Sequence, residues 1–171
     1  MHLNFLKKII YSTFLILVVL FFGCSRNTDT GKLAPDFTLK DLSDNSVSLQ
    51  QYRGNLVLLD FWATWCTPCR YSIPELVKIQ DKYRDQGVVI LGVSVDDPLR
   101  VNNRYLSAYK EKYKINYTIL MADEKTIVKY LGNNNFAIPT IFIINRDGMI
   151  VTKGVGFLPG AVEKSLKKIL Q

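Results

Sequence analysis

Residues Leu56-Val57-Leu58-Leu59-Asp60-Phe61-Trp62 form an apolar run broken once, by a carboxylate, and a second such run follows at Val88-Val89-Ile90-Leu91-Gly92-Val93-Ser94-Val95. Strands that read this way are covered on both faces, unlike the alternating strands of a half-exposed sheet. Between them, within Cys66–Gln86, Ile73, Leu76, Val77, Gln80 and Tyr83 recur at helical spacing, and Gly87 can end the helix. Strand, helix and strand in this order make a unit whose two strands are parallel, which commits the chain to the α/β class.

The flanking segments extend the unit in both directions. Phe37-Thr38-Leu39 and Val47-Ser48-Leu49 alternate around a polar turn at Ser43–Ser46 and predict a small N-terminal hairpin. Asp97-Pro98 reads as the N-cap and first position of a helix through about Lys112. A short strand over Tyr117–Met121 and a short helix over Glu124–Leu131 follow, forming a central helix-strand insertion. Thr140–Ile144 and Met149–Lys153 flank Asn145-Arg146-Asp147-Gly148, a hairpin signal through its Asp-Gly. A last helix carries Val162, Leu166, Ile169 and Leu170 on one side and Lys164, Lys167 and Lys168 on the other. The expected fold is one α/β domain over residues 35–171, a mixed central sheet flanked by helices.

Lys7-Lys8 followed by the apolar stretch Ile9–Phe22 has the form of an export signal over residues 1–23. As a helix its 14 residues span about 21 Å, short of the ~30 Å of a hydrocarbon core, although retention as a signal anchor stays open. Leu20-Phe21-Phe22-Gly23-Cys24 resembles a bacterial lipobox, with Cys24 lipidated, residues 24–34 as a polar tether, and a lipid bilayer as the partner of the N-terminus. The folded part is then extracytoplasmic and membrane-anchored, on the periplasmic or outer cell-surface side, where disulfides persist. Of 22 basic side chains, Lys7 and Lys8 lie in the signal and no acid does, so removal lowers the net charge from +7 to +5. No nucleic-acid partner is expected.

Histidine excludes much of enzyme chemistry. The only one, His2, lies in the segment expected to be removed, so a mature chain has no Ser/His/Asp or Cys/His nucleophile site and no imidazole for zinc. What remains is Trp65-Cys66-Thr67-Pro68-Cys69, at the handover from strand to helix. The unpaired N–H groups and positive dipole end of a helix N-terminus stabilise an anion, so Cys66 is expected to be the nucleophilic thiolate. Cys69, one turn further in, can resolve a mixed disulfide by attacking Cys66. Pro68 stiffens the turn where the helix can spare a donor. A carboxylate inside an apolar strand must find partners or take up a proton, so Asp60 is expected to have a raised pKa.

These residues, with Ala34-Pro35-Asp36-Phe37, Leu59–Arg70, Ile138-Pro139-Thr140 and Asp147-Gly148, resemble the thioredoxin superfamily, and within it the TlpA/ResA-like extracytoplasmic branch. The resemblance implies a thioredoxin-like fold, a cis peptide at Ile138-Pro139, and substrate contacts at Trp65, Thr67, Pro68, Ile138 and Pro139. It also implies a relay of protons to the resolving thiol by Asp60, and a pronounced bend of the first helix at Pro74. The activity implied is thiol–disulfide exchange, as a reductase of disulfides in exported proteins, with apocytochrome c as one candidate substrate and a membrane electron donor for re-reduction. No cofactor beyond the Cys66/Cys69 pair is expected.

Two positions depart from the pattern. The acidic residue expected three places after the second cysteine is Ser72, and the lysine that partners the buried aspartate in thioredoxins falls at or near Gly92. Two other activities remain open at this stage. One is a peroxiredoxin-like thiol peroxidase, although the P-x-x-x-T-x-x-C frame is missing around Cys66. The other is a non-catalytic dithiol module that holds a partner or a metal such as copper.

Overall fold

The computed structural model describes residues 30–133 and 136–171. The signal segment, Cys24 and most of the expected tether lie outside the described residues.

The elements follow the order read from the sequence. Strands β1 (Thr38–Asp41) and β2 (Ser46–Ser48) form the N-terminal hairpin. The Asp41 carboxylate ties their turn by accepting the backbone N–H groups of Ser43 and Asn45, each at 2.8 Å. Strand β3 (Leu56–Trp62), helix α1 (Thr67–Tyr83) and strand β4 (Val88–Ser94) are the central unit, with β3 and β4 parallel in register from Leu56 opposite Val88 to Trp62 opposite Ser94. Helix α2 (Asn103–Lys112), strand β5 (Thr118–Met121) and helix α3 (Glu124–Leu131) form the insertion. Strands β6 (Thr140–Ile144) and β7 (Ile150–Val155) make the second hairpin, and helix α4 (Ala161–Leu170) closes the chain.

The seven strands form one sheet in the order β2-β1-β5-β4-β3-β6-β7. It is mixed: β4 is parallel to β3 and β5, while β6 runs antiparallel to β3 and β7. Strand period decides which core each residue joins. Leu58 and Trp62 pack with Cys66, Cys69 and Ile73 of the α1 region, Leu106 and Tyr109 of α2 and Leu166 of α4. Val57, Leu59 and Phe61 face the other way, against Tyr130 of α3 and the N-terminal Phe37, Leu39 and Leu49. Every residue of β3 is therefore buried. At roughly 1.5–3 kcal/mol for each large aliphatic or aromatic side chain, this strand has no freedom to slip.

Two boundaries differ from the sequence reading. The helix expected from Asp97-Pro98 starts later, at Asn103. The Asp97 carboxylate accepts the Leu99 N–H at 3.0 Å and its carbonyl accepts from Arg100 and Val101, closing a separate turn. Asn102 is the true cap, accepting the Tyr105 N–H at 3.0 Å. Gly31–Ala34, read as part of a tether, are paired to the domain: Leu33 bridges Met149, and Gly31 and Ala34 donate to the carbonyls of Ile150 and Gly148.

Asn102→Ala is expected to lower stability by about 1 kcal/mol, the ordinary value of a lost N-cap. A urea midpoint unchanged by Asn102→Ala but lowered by Asp97→Ala would restore the earlier helix start.

Candidate active site

The C-terminal end of β3 delivers the chain through Ala63-Thr64-Trp65 into α1, and Cys66 sits at the N-cap with extended backbone angles. Cys66 and Cys69 are joined as a disulfide with their α-carbons 5.3 Å apart. The Cys69 N–H donates to the Cys66 sulfur at 3.2 Å. In the reduced protein the same N–H and the helix dipole act on the Cys66 thiolate, favouring the ionised form. Both residues are buried, but Cys66 keeps 4% of its surface exposed and Cys69 none, so of the two only Cys66 reaches the surface.

The other expected residues surround this sulfur. Ile138-Pro139 is a cis peptide, and the Ile138 carbonyl oxygen lies 3.7 Å from the Cys66 sulfur. The Pro139 carbonyl accepts the Gly156 N–H at 2.8 Å, fastening the loop to the end of β7. Trp65, Thr67 and Pro68 are exposed beside Cys66. Pro74 lies within α1 without ending it.

Asp60 is buried, and among the described residues neither carboxylate oxygen has a hydrogen-bond partner. Strand alternation places it between Leu58 and Trp62 on the face that carries α1. Burial alone pushes its pKa up to about 7. Gly92 is its register partner on β4, and a side chain there would meet the Trp62 indole nitrogen and the Tyr117 ring at 3.0 Å. The lysine expected from thioredoxins is thus replaced by two aromatic rings filling its place, which leaves Asp60 without a cation. The Tyr117 phenol is itself held well above its ordinary pKa, by burial and then by the Asp60 charge.

Ser72 is buried, and its hydroxyl donates to the Cys69 carbonyl at 2.8 Å, so the position of the missing acid is spent on the helix backbone. Sequence reasoning missed Asp96. It is a buried clamp on the active-site loop: its carboxylate accepts the Thr64 N–H at 3.0 Å, the Thr64 hydroxyl at 2.8 Å and the Ser94 hydroxyl at 2.7 Å. The available signal was an acid directly after a buried strand, at the same sheet end as the cysteines.

A family model described as AhpC/TSA family matches residues 30–153. The chain belongs to the AhpC/TSA family. Within this AhpC/TSA chain, 137 residues are 31% identical to the thiol-disulfide oxidoreductase ResA of Bacillus cereus, covering 80% of this chain and 75% of the relative. The thioredoxin-like protein YneN of Bacillus subtilis is 35% identical over 74% of this chain and 71% of its own. Among solved structures, the thioredoxin domain of a thiol-disulfide oxidoreductase from Bacteroides vulgatus superposes with a TM-score of 0.71 at 29% identity, covering 83% of this chain and 98% of that one. A thiol:disulfide interchange protein of the thioredoxin family from Chlorobium tepidum gives 0.71 at 26% identity, covering 82% and 97%. The fold is thioredoxin-like and the protein is a thiol–disulfide oxidoreductase with a Cys66/Cys69 pair. Among the described residues no group of three or more His, Cys, Asp or Glu side chains is placed to hold a metal, and no helix is long and apolar enough to cross a membrane.

The raised Asp60 pKa has a thermodynamic signature. Between its ordinary value of 3.8 and about 7, the unfolded chain has released a proton that the folded chain keeps, so stability falls as pH rises through this window and levels off above it. Glu163, held down to about 2 mainly by its hydrogen bond from Lys82, acts between that value and its ordinary 4.5, so it is constant above pH 5. From pH 5 to pH 7 the fall is expected to be roughly 2–3 kcal/mol, and Asp60→Asn is expected to abolish it. Urea unfolding at pH 5, 7 and 8 decides this, and equal slopes in parent and variant would refute it. Asp96→Ala strands the Thr64 and Ser94 donors and is expected to cost roughly 2–4 kcal/mol and to slow disulfide exchange. A variant with parental stability would show that the clamp is dispensable.

Proposed function

We propose that the protein is an extracytoplasmic reductase of disulfides in exported proteins, held at a membrane through its N-terminus. The observation that carries the exchange mechanism is the asymmetry of the two sulfurs: Cys66 at the helix N-terminus, reaching the surface beside the Ile138 carbonyl, and Cys69 sealed behind it. In the reduced protein the Cys66 thiolate attacks one sulfur of a substrate disulfide, and the other sulfur leaves as a thiolate and takes up a proton. The mixed disulfide is then attacked at Cys66 by Cys69, which gives up its proton to Asp60 and releases the second substrate thiol. Two electrons pass to the substrate, and Cys66–Cys69 is left as the disulfide present here. An external dithiol, supplied through the membrane, returns it to the reduced state.

The main-chain groups of Ile138, just before Pro139, are the ones proposed to pair with an extended substrate segment as an added strand, with Trp65, Thr67 and Pro68 along its side. Thr67-Pro68 puts no histidine between the cysteines, so the thiolate is less stabilised than in strong oxidants and the reduced protein is a better electron donor. The export-signal pattern of residues 1–23 and the lipobox-like Cys24 support the location. The likeness to the ResA branch makes apocytochrome c cysteines a fitting substrate. A thiol peroxidase would need the threonine of the P-x-x-x-T-x-x-C frame, whose place is Ala63 here, and the neighbouring Thr64 has its hydroxyl and N–H committed to Asp96.

Equilibration with glutathione or dithiothreitol buffers is expected to give a Cys66/Cys69 potential of about −230 mV or lower. A value near about −120 mV would make the protein an oxidant instead. Cys66→Ser is expected to abolish exchange and Cys69→Ser to accumulate mixed disulfides with substrate, read on non-reducing gels. Turnover by either variant would refute the assignment of roles.

A further inference from the structure

A groove of about 300 Å³ opens between the active-site loop and α2, lined by Thr64, Arg70, Tyr105, Tyr109, Lys112 and Tyr113 among others. Tyr105, Tyr109 and Tyr113 stand at successive i, i+4 positions, so they form one aromatic stripe along the helix. The stripe is anchored where Tyr109 stacks on Trp62 of β3, with ring centroids 5.3 Å apart, and on Tyr113 at 4.3 Å. Its outer end is open, since Tyr105 is 53% exposed. The Tyr109 hydroxyl is buried with no hydrogen bond of ordinary geometry, although the Tyr113 phenol lies beside it.

The side chains that line the groove carry charge of one sign, while the buried Asp96 carboxylate behind Thr64 is an acid whose charge reaches Tyr109. Arg70 bonds only to the Thr67 hydroxyl, at 2.9 Å, and Lys112 lies over the Tyr113 ring at 5.4 Å. Among the described residues neither cation has a carboxylate partner, while Lys82, Arg84, Arg100 and Lys167 elsewhere on the surface each do. No acidic side chain lines the groove. Its place in the chain limits what can fill it: Thr64 stands two residues before Cys66 and Arg70 directly follows Cys69. Two residues span at most about 7 Å, so whatever sits on Cys66 also sits at the groove mouth.

We infer that this groove is a specificity subsite for the disulfide substrate itself, taking a glutamate or aspartate side chain from the polypeptide flanking the attacked cysteine. The carboxylate pairs with Arg70 and Lys112, and the aliphatic part of the side chain lies on the tyrosine stripe. This rests on the exchange reaction proposed above and adds to it a preference among substrates. A partly exposed ion pair changes rates modestly, so the preference is a matter of several-fold and is sensitive to salt.

The test uses the full chain, pre-reduced, and two disulfide-linked peptides that differ only in carrying Glu or Gln at the second and third residues from each cysteine. The kcat/KM ratio of the Glu peptide to the Gln peptide is expected to be roughly fivefold at low salt and to fall toward one at high salt. Lys112→Gln and Arg70→Gln are each expected to reduce the ratio by about half or more, and Tyr105→Ala to reduce it as well. A ratio of one in the parent, or a ratio unchanged in the Lys112→Gln, Arg70→Gln double variant, overturns the subsite while leaving the exchange reaction intact. Reduction of neither peptide would count against the exchange reaction, and the subsite is then judged by binding. Cysteine-free Glu and Gln peptides are titrated onto the disulfide form and followed through NMR shifts of the α2 backbone. Tighter binding of the Glu peptide supports the subsite, equal binding refutes it, and inorganic phosphate binding as tightly as the Glu peptide refutes it in favour of a free-anion site.

Discussion

Strand β3 is enclosed on both faces and on both edges, by α1, α2 and α4 above, α3 and the N-terminal segment below, and β4 and β6 at its sides. A one-residue slip of β3 would exchange Leu58 and Trp62 with Leu59 and Phe61 between two different cores, so the register cannot drift. The reactive residues inherit that rigidity. Cys66 is only four residues beyond the end of this strand, and Asp60 is part of it. The position of a sulfur at a helix start, and of a carboxylate beneath that helix, thus follow from the packing of hydrocarbon rather than from contacts of their own.

The same enclosure makes the site chemically uneven. Cys66 gains a backbone N–H and a helix dipole, whereas Asp60 gains nothing to offset its loss of water and holds its proton to about neutral pH. Two groups whose environments push their proton affinities in opposite directions suit a reaction with one sulfur ionised at the start and another ionised later. Gly92 is the small residue behind this arrangement. By leaving room for the Trp62 and Tyr117 rings, it closes the space where a cation would otherwise stand beside the carboxylate.

Where the sequence carried a period or a backbone requirement, it was legible. Glu124–Leu131 was read to the residue, and the structure caps it with Asp123 and ends it at Gly132. The order of strands, the two hairpins and the cysteine pair at a strand-to-helix handover were legible for the same reason. Asp97-Pro98 misled because a side chain that caps a helix can equally close an isolated turn, and the hydrogen bond from the Tyr105 N–H to the Asn102 side chain shows that the helix begins at Asn103. Asp96 was illegible as a clamp, since its partner Thr64 lies 32 residues away in the chain and beside it only in the folded sheet. The tyrosine groove was hidden likewise, because its aromatic stripe and its Arg70 come from different elements.

Gly31–Ala34 run along the start of β7, next to the Asn145–Gly148 turn, whereas the disulfide lies at the end of the sheet where β3 finishes and β6 begins. The chain therefore enters the domain at one pole and reacts at the other, separated by the length of a seven-residue strand, about 20 Å. The described entry segment therefore covers the base of the sheet, and the pole that holds the disulfide is left to the loops that follow β3 and precede β6.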